Sequence, residues 1–246
     1  MKLKAAIPSL FTMGNMIMGF ISIIYSAQYS PTLGNVSTLY IAGILIFVAS
    51  IFDLCDGAVA RSLGVESEIG MQLDSLADAI AYGIAPGVLA YQAYFYQFPE
   101  VFSGFNSGIV VAVVFPVCAI FRLARFNCQD SSGSGFTGLP SPPAGLIVST
   151  VPALFSVTDT IFGELQFVMP LYFYAGFYVV VALLMVSEID YSKVFSNIWK
   201  KGLYARVITL TVIIALLVLF GSWAIFGVTF LYVLWGITRH LMTFGK

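Results

Sequence analysis

Runs of about twenty predominantly apolar residues recur along this chain, and each approaches the length a helix needs to cross the roughly 30 Å hydrocarbon of a bilayer. They lie near 10–28, 38–61, 70–96, 107–126, 143–158, 168–187, 205–221 and 223–240. Turn chemistry separates several of them: Tyr29-Ser-Pro-Thr-Leu-Gly-Asn35, Phe98-Pro-Glu100, Ser131-Ser-Gly-Ser-Gly135 and Gly221-Ser222. Only 9% of residues are charged, against about 25% in a soluble domain, so a water-exposed surface is excluded. The expected fold class is an all-α integral membrane protein of about eight transmembrane helices. Residues 1–187 would form a six-helix core, and 188–246 a basic connector with a C-terminal helix pair.

Charge placement sets an orientation. If all eight runs cross and the N-terminus is cytoplasmic, then Lys2, Lys4, Arg61, Arg122, Arg125, Lys193, Lys200, Lys201, Arg206, Arg239 and Lys246 all fall on the cytoplasmic side. Removing the run 143–158, the shortest and one interrupted by Pro152, would send Lys193 to Arg206 outside. Both termini are therefore expected in the cytoplasm, with the protein in the cell (cytoplasmic) membrane and its first run retained, since no A-x-A-like site follows it. The basic stretch Lys193 to Arg206 would meet anionic lipid. Eleven basic residues against twelve acidic ones leave no basic face for nucleic acid. Cys55, Cys118 and Cys128 lack the number and spacing of a disulfide framework or zinc site.

Four carboxylates stand where carboxylates are expensive. Residues 38–52 are uncharged, and Asp53 and Asp56 follow, about 22 Å along a helix, near the cytoplasmic edge of the hydrocarbon. The next run carries Asp74 and Asp78 in its first two turns, so both pairs reach the same depth from neighbouring antiparallel helices. Spacings of i, i+3 and i, i+4 put each pair on one helical face. Like charges brought together demand protonation or a cation. With oxygen ligands only and His240 as the sole histidine, a hard ion such as Mg²⁺ or Mn²⁺ is favoured, as one ion or as two. Gly57 and Ala60 beside them either let a polar ligand approach the backbone or pack helices closely. A divalent-cation transport site is the rival from another class, but it would be expected at the midplane rather than near one interface.

The segment Asp53-Leu-Cys-Asp56-Gly57-Ala-Val-Ala60-Arg61, continued by Gly70, Asp74 and Asp78, matches every fixed position of D-x2-D-G-x2-A-R-x8-G-x3-D-x3-D. It resembles the signature of the CDP-alcohol phosphotransferases. The resemblance implies a metal-dependent membrane enzyme, homodimeric, that displaces CMP from a CDP-linked donor with the hydroxyl of an acceptor alcohol. Asp53, Asp56, Asp74 and Asp78 would bind metal, with Asp78 also the general base, and Gly57, Ala60, Arg61 and Gly70 would line the CDP site.

Three further segments resemble the branch of that family that makes phosphatidylserine from CDP-diacylglycerol and L-serine. They are Gly135-Phe-Thr-Gly-Leu-Pro-Ser-Pro-Pro-Ala-Gly145, Arg122-Leu-Ala-Arg125-Phe-Asn127, and Ile7-Pro-Ser-Leu-Phe-Thr12-Met-Gly-Asn15 with Gly19. Ser9 departs from the usual asparagine after the proline. Thr12 and Asn15 would hydrogen-bond the donor's nucleotide or phosphates, or else cap a helix start. Arg122 and Arg125 would receive the carboxylate of serine, and Asn127 its ammonium. Snorkelling topology anchors are the other reading of the two arginines. Glycerol 3-phosphate and inositol phosphate are the alternative acceptors.

Overall fold

The computed structural model describes residues 3–65, 67–102, 104–128, 138–154, 158–160, 163–165, 169–189, 191 and 221–244. Residues 205–220 of the run 205–221, the stretch Lys193 to Arg206 and the loop residues 131–137 lie outside the described residues. The described chain is helical apart from two small antiparallel ribbons: α1 Leu3–Ala27, α2 Ser37–Leu63, α3 Glu68–Asp78, α4 Ala85–Ala93, α5 Gly108–Cys128, α6 Ser141–Ala153, α7 Leu171–Val186 and α8 Ser222–Phe244. Glu100–Phe102 pairs with Phe105–Asn106, and Thr158–Thr160 with Gly163–Leu165. Among the described residues, five segments are long and apolar enough to cross a membrane: Ile7–Ala27, Ser37–Leu63, Glu68–Ala93, Gly108–Cys128 and Trp223–Met242.

The α2–α3 hairpin closes by local chemistry. Gly64 ends α2 in the left-handed region at φ 61° and returns its N–H to the last turn. Ser67 then caps α3, its hydroxyl accepting from the Gly70 N–H at 3.1 Å, which satisfies a donor orphaned at the helix start. Asp53 and Asp56 are thereby turned back beside Asp74 and Asp78.

A six-residue π-helical segment, Ala79–Ile84, joins α3 to α4 directly after Asp78. Pro86 follows it and has no N–H to give the Tyr82 carbonyl four residues earlier. Two glycines let neighbours close onto this segment: a side chain at Gly19 of α1 would strike the Ala81 backbone, and one at Gly145 of α6 would press on Tyr82.

The run 143–158 corresponds to α6, which has only 13 residues, about 20 Å, and is too short to cross alone. Position in the bundle explains this. The helix is walled by α2, α4, α7 and α8, and ten of its 13 residues are buried. It faces protein rather than lipid and need not match the bilayer. Its interior Pro152 leaves the Val148 carbonyl without a helical donor, and the Tyr174 hydroxyl of α7 donates there at 2.9 Å. Pro116 does the same to Ala112 in α5, and the Tyr178 hydroxyl donates to that carbonyl at 2.7 Å. Around these two bonds Tyr94, Phe95, Phe115, Tyr174 and Tyr178 stack with ring centroids 4.3–6.1 Å apart.

Candidate active site

At the opposite end of the bundle from that aromatic cluster, the end of α2, the start of α3, the end of α5, the start of α6 and the end of α7 converge. Asp53, Asp56 and Asp74 each place a carboxylate oxygen within 4.8 Å of the others. One oxygen of Asp74 is buried and has no hydrogen-bond partner among the described residues. Three converging carboxylates with spare acceptor capacity fit a hard divalent cation. Asp78 stands outside this triad, although close enough to feel the charge of all three, and it is buried.

Thr12 and Asn15 lie in the interior of α1, so neither caps its start, and both face carboxylates. The Thr12 hydroxyl donates to Asp56 Oδ2 at 2.9 Å. The Asn15 amide donates to Asp78 Oδ1 at 3.0 Å, while its own oxygen is buried without a partner among the described residues. A donor aimed at a carboxylate favours the ionised form and fixes its orientation. In this geometry the two residues brace two aspartates.

The remaining motif residues flank the aspartates along α2 and α3. A side chain built at Gly57 would meet only the Arg61 guanidinium at 3.6 Å, so the backbone beside Asp56 is open. Arg61 folds back with its Nε donating to the Gly57 carbonyl at 2.8 Å. Ala60 is half-buried on the same helix, and Gly70 belongs to the α3 cap.

The three residues expected to bind serine separate. Arg122 is buried and donates from Nη1 to the Ser141 hydroxyl at 2.8 Å. It lines a cleft of about 150 Å³ together with Asp74, Ser75, Asp78, Phe126 and Pro142. Arg125 instead reaches the end of α7, donating to the carbonyls of Val186 and Ser187 at 3.3 and 3.4 Å, where a cation complements the helix dipole. Asn127 clamps α5 to α3, accepting from Ser75 at 3.1 Å and donating to Gln72 at 3.2 Å. The i, i+3 spacing alone does not foresee this split, because α6 and α7 meet different sides of the last turn of α5.

Ser141 and Tyr82 were missed in the sequence. Ser141 lies inside the Gly135–Gly145 segment, as a lone hydroxyl among Pro140, Pro142 and Pro143. Tyr82 is fully buried, within electrostatic reach of all four aspartates, and its hydroxyl has no partner among the described residues. Tyr232 of α8 lies within electrostatic reach of Arg122 and packs on Tyr191 with centroids 5.8 Å apart. Burial, helped by Tyr232, pushes the Tyr191 hydroxyl up to about 12.

Residues 5–169 match the model of a family described as CDP-alcohol phosphatidyltransferase. The chain is 30% identical over 241 residues to the CDP-diacylglycerol–serine O-phosphatidyltransferase of Helicobacter pylori (strain ATCC 700392 / 26695), covering 97% of this chain and 92% of that protein. It is 35% identical over 140 residues to the enzyme of that name from Bacillus subtilis (strain 168), covering 57% and 71%. Similarity to an archaetidylserine synthase of Methanothermobacter thermautotrophicus is 35% over 193 residues, covering 77% and 70%.

Proposed function

The chain belongs to the CDP-alcohol phosphatidyltransferase family, and on that premise we propose that it transfers the phosphatidyl group of CDP-diacylglycerol to the hydroxyl of L-serine, giving phosphatidylserine and CMP. The observation that carries the reading is the small cleft in which Asp78 and Arg122 face one space beside the Asp53–Asp56–Asp74 triad. At about 150 Å³ it falls below the roughly 300 Å³ at which pockets for drug-sized ligands begin, and so suits a small acceptor.

The residues divide the work as follows. Asp53, Asp56 and Asp74 would hold a divalent cation, Mg²⁺ or Mn²⁺, as one ion or two, which would neutralise charge on the pyrophosphate. Gly57, Ala60, Arg61 and Gly70 border the CDP moiety. Arg122 receives the carboxylate of serine, and Asp78, braced by Asn15, takes the hydroxyl proton as general base. The serine oxygen forms a bond to the lipid-linked phosphorus, the bond from that phosphorus to the CMP oxygen breaks, and CMP leaves with the electron pair. Much of the barrier reduction comes from alignment and electrostatics.

We place the site at the cytoplasmic face of the cell membrane, with both termini on that side and eight crossings in all. Residues 1–187 would carry the catalytic core, and 188–246 the connector and final helix pair. The path of α8 supports this count. Phe226 lies 6.4 Å from Phe177 in the middle of α7, whereas Gly236 abuts Tyr191 just beyond its end, so α8 runs parallel to α7. A homodimer is the assembly the family implies.

Purified protein supplied with CDP-diacylglycerol, Mn²⁺ or Mg²⁺ and a panel of alcohols should release CMP with serine. Turnover with glycerol 3-phosphate or inositol phosphate, but not serine, would overturn the acceptor. Divalent-ion flux in proteoliposomes lacking any CDP-lipid would overturn the reaction class.

A further inference from the structure

We propose that Ser141 is a positioning residue for acceptor recognition, its hydroxyl holding the Arg122 guanidinium in the orientation that receives the acceptor's carboxylate. The proposal rests on the reading of Arg122 given above and extends it to a residue outside the aspartate signature.

A guanidinium carries five N–H donors in a rigid fork on a flexible stem. A receptor built from it gains affinity when the stem is fixed beforehand. In this protein one arm of the fork is spoken for: Nη1 donates to Ser141 Oγ at 2.8 Å, and Ser141 is fully buried, so water does not compete for that bond. The Nε–H is buried and without a partner among the described residues, on a side chain that lines the cleft with Asp78. A ligand bearing both a carboxylate and a hydroxyl would find a donor and a base in one enclosure.

Ser141 is itself held from three sides. Pro140 precedes it, and Pro142 and Pro143 follow, which restricts the local backbone. Upstream, the Gly138 N–H donates to the Ile189 carbonyl and the Leu139 N–H to the Leu184 carbonyl, both at 2.9 Å. Gly138 is in the left-handed region at φ 85°, and any side chain there would collide with the Met185 carbonyl. Arg125 binds the same end of α7 through Val186 and Ser187. One helix end thus registers the last turn of α5 against the first turn of α6, and the Arg122–Ser141 bond lies where the two meet.

The test is steady-state kinetics of full-length protein in nanodiscs with both substrates varied, alongside the thermal midpoint. Ser141→Ala should raise the KM for serine about tenfold or more, as expected for losing a hydrogen bond to a charged group, with the KM for CDP-diacylglycerol moved less than twofold. Ser141→Thr, which keeps the hydroxyl, should recover most of the loss. Arg122→Gln should raise the serine KM at least as far as Ser141→Ala. If Arg122→Gln leaves the serine KM unmoved, the acceptor reading itself falls. If Arg122→Gln raises it while Ser141→Ala does not, Ser141 is not the positioning residue and the acceptor reading stands. A Ser141→Ala protein in which both KM values rise equally, or only the thermal midpoint falls, assigns Ser141 to packing and overturns the proposal.

Discussion

The two ends of the helix bundle bury polar groups to opposite effect. In the aromatic cluster, Tyr174 and Tyr178 each spend their hydroxyl on a carbonyl that a proline had left without a donor. At the carboxylate end, Asn15, Asp74, Tyr82 and Arg122 each retain a buried polar atom with no partner among the described residues. Burying a polar group unpaired costs about 1–3 kcal/mol, so one end is built for stability and the other carries a cost that a ligand's charges and hydrogen bonds can offset.

The sharpest way to break the contrast is at Asp78. Asp78→Asn should lower turnover by about 10²–10⁴-fold while donor binding persists and the thermal midpoint holds or rises, because one of four mutually repelling carboxylates is removed. Asp56→Asn, by comparison, should weaken metal-dependent donor binding as well, read by titrating CDP-diacylglycerol with and without Mn²⁺. A fully active Asp78→Asn protein would end its assignment as base. The aromatic end should answer in reverse: Tyr174→Phe leaves the Val148 carbonyl unpaired and should cost about 1–3 kcal/mol in denaturant unfolding, with activity per folded molecule retained. The smallest effect is expected at Arg125→Gln, about 0.3–1 kcal/mol from losing a cation at the end of α7, seen as a modest drop in thermal midpoint. Should Arg125→Gln raise the serine KM as far as Arg122→Gln, the division of labour between the two arginines would fail.

The sequence made the carboxylates legible because ionisable residues at membrane depth are rare and the hairpin spacing puts them at one level. Asp53, Asp56 and Asp74 indeed converge. Contacts between distant helices were not legible. Nothing local to Thr12 or Asn15 says that α1 lies against α2 and α3, so their bonds to Asp56 and Asp78 appear only in the fold. The same holds for Arg125 and Asn127, whose partners lie 61 and 52 residues away. Hydropathy located α6 but misjudged its surroundings, since a helix walled by protein tolerates prolines and a short span that lipid would not.

That placement of α6 has a consequence for biogenesis. Thirteen residues with prolines at both ends make a poor guest for bare lipid as the chain leaves the insertion machinery. The helices α2 and α4, made earlier, offer it a wall, whereas α7, which brings the Tyr174 hydroxyl to Val148 and the carbonyls that register Gly138 and Leu139, emerges afterwards. The Arg122–Ser141 contact therefore becomes secure only when α7 has docked. Synthesis of the α2–α3 hairpin comes early, but the cleft beside Arg122 is completed late.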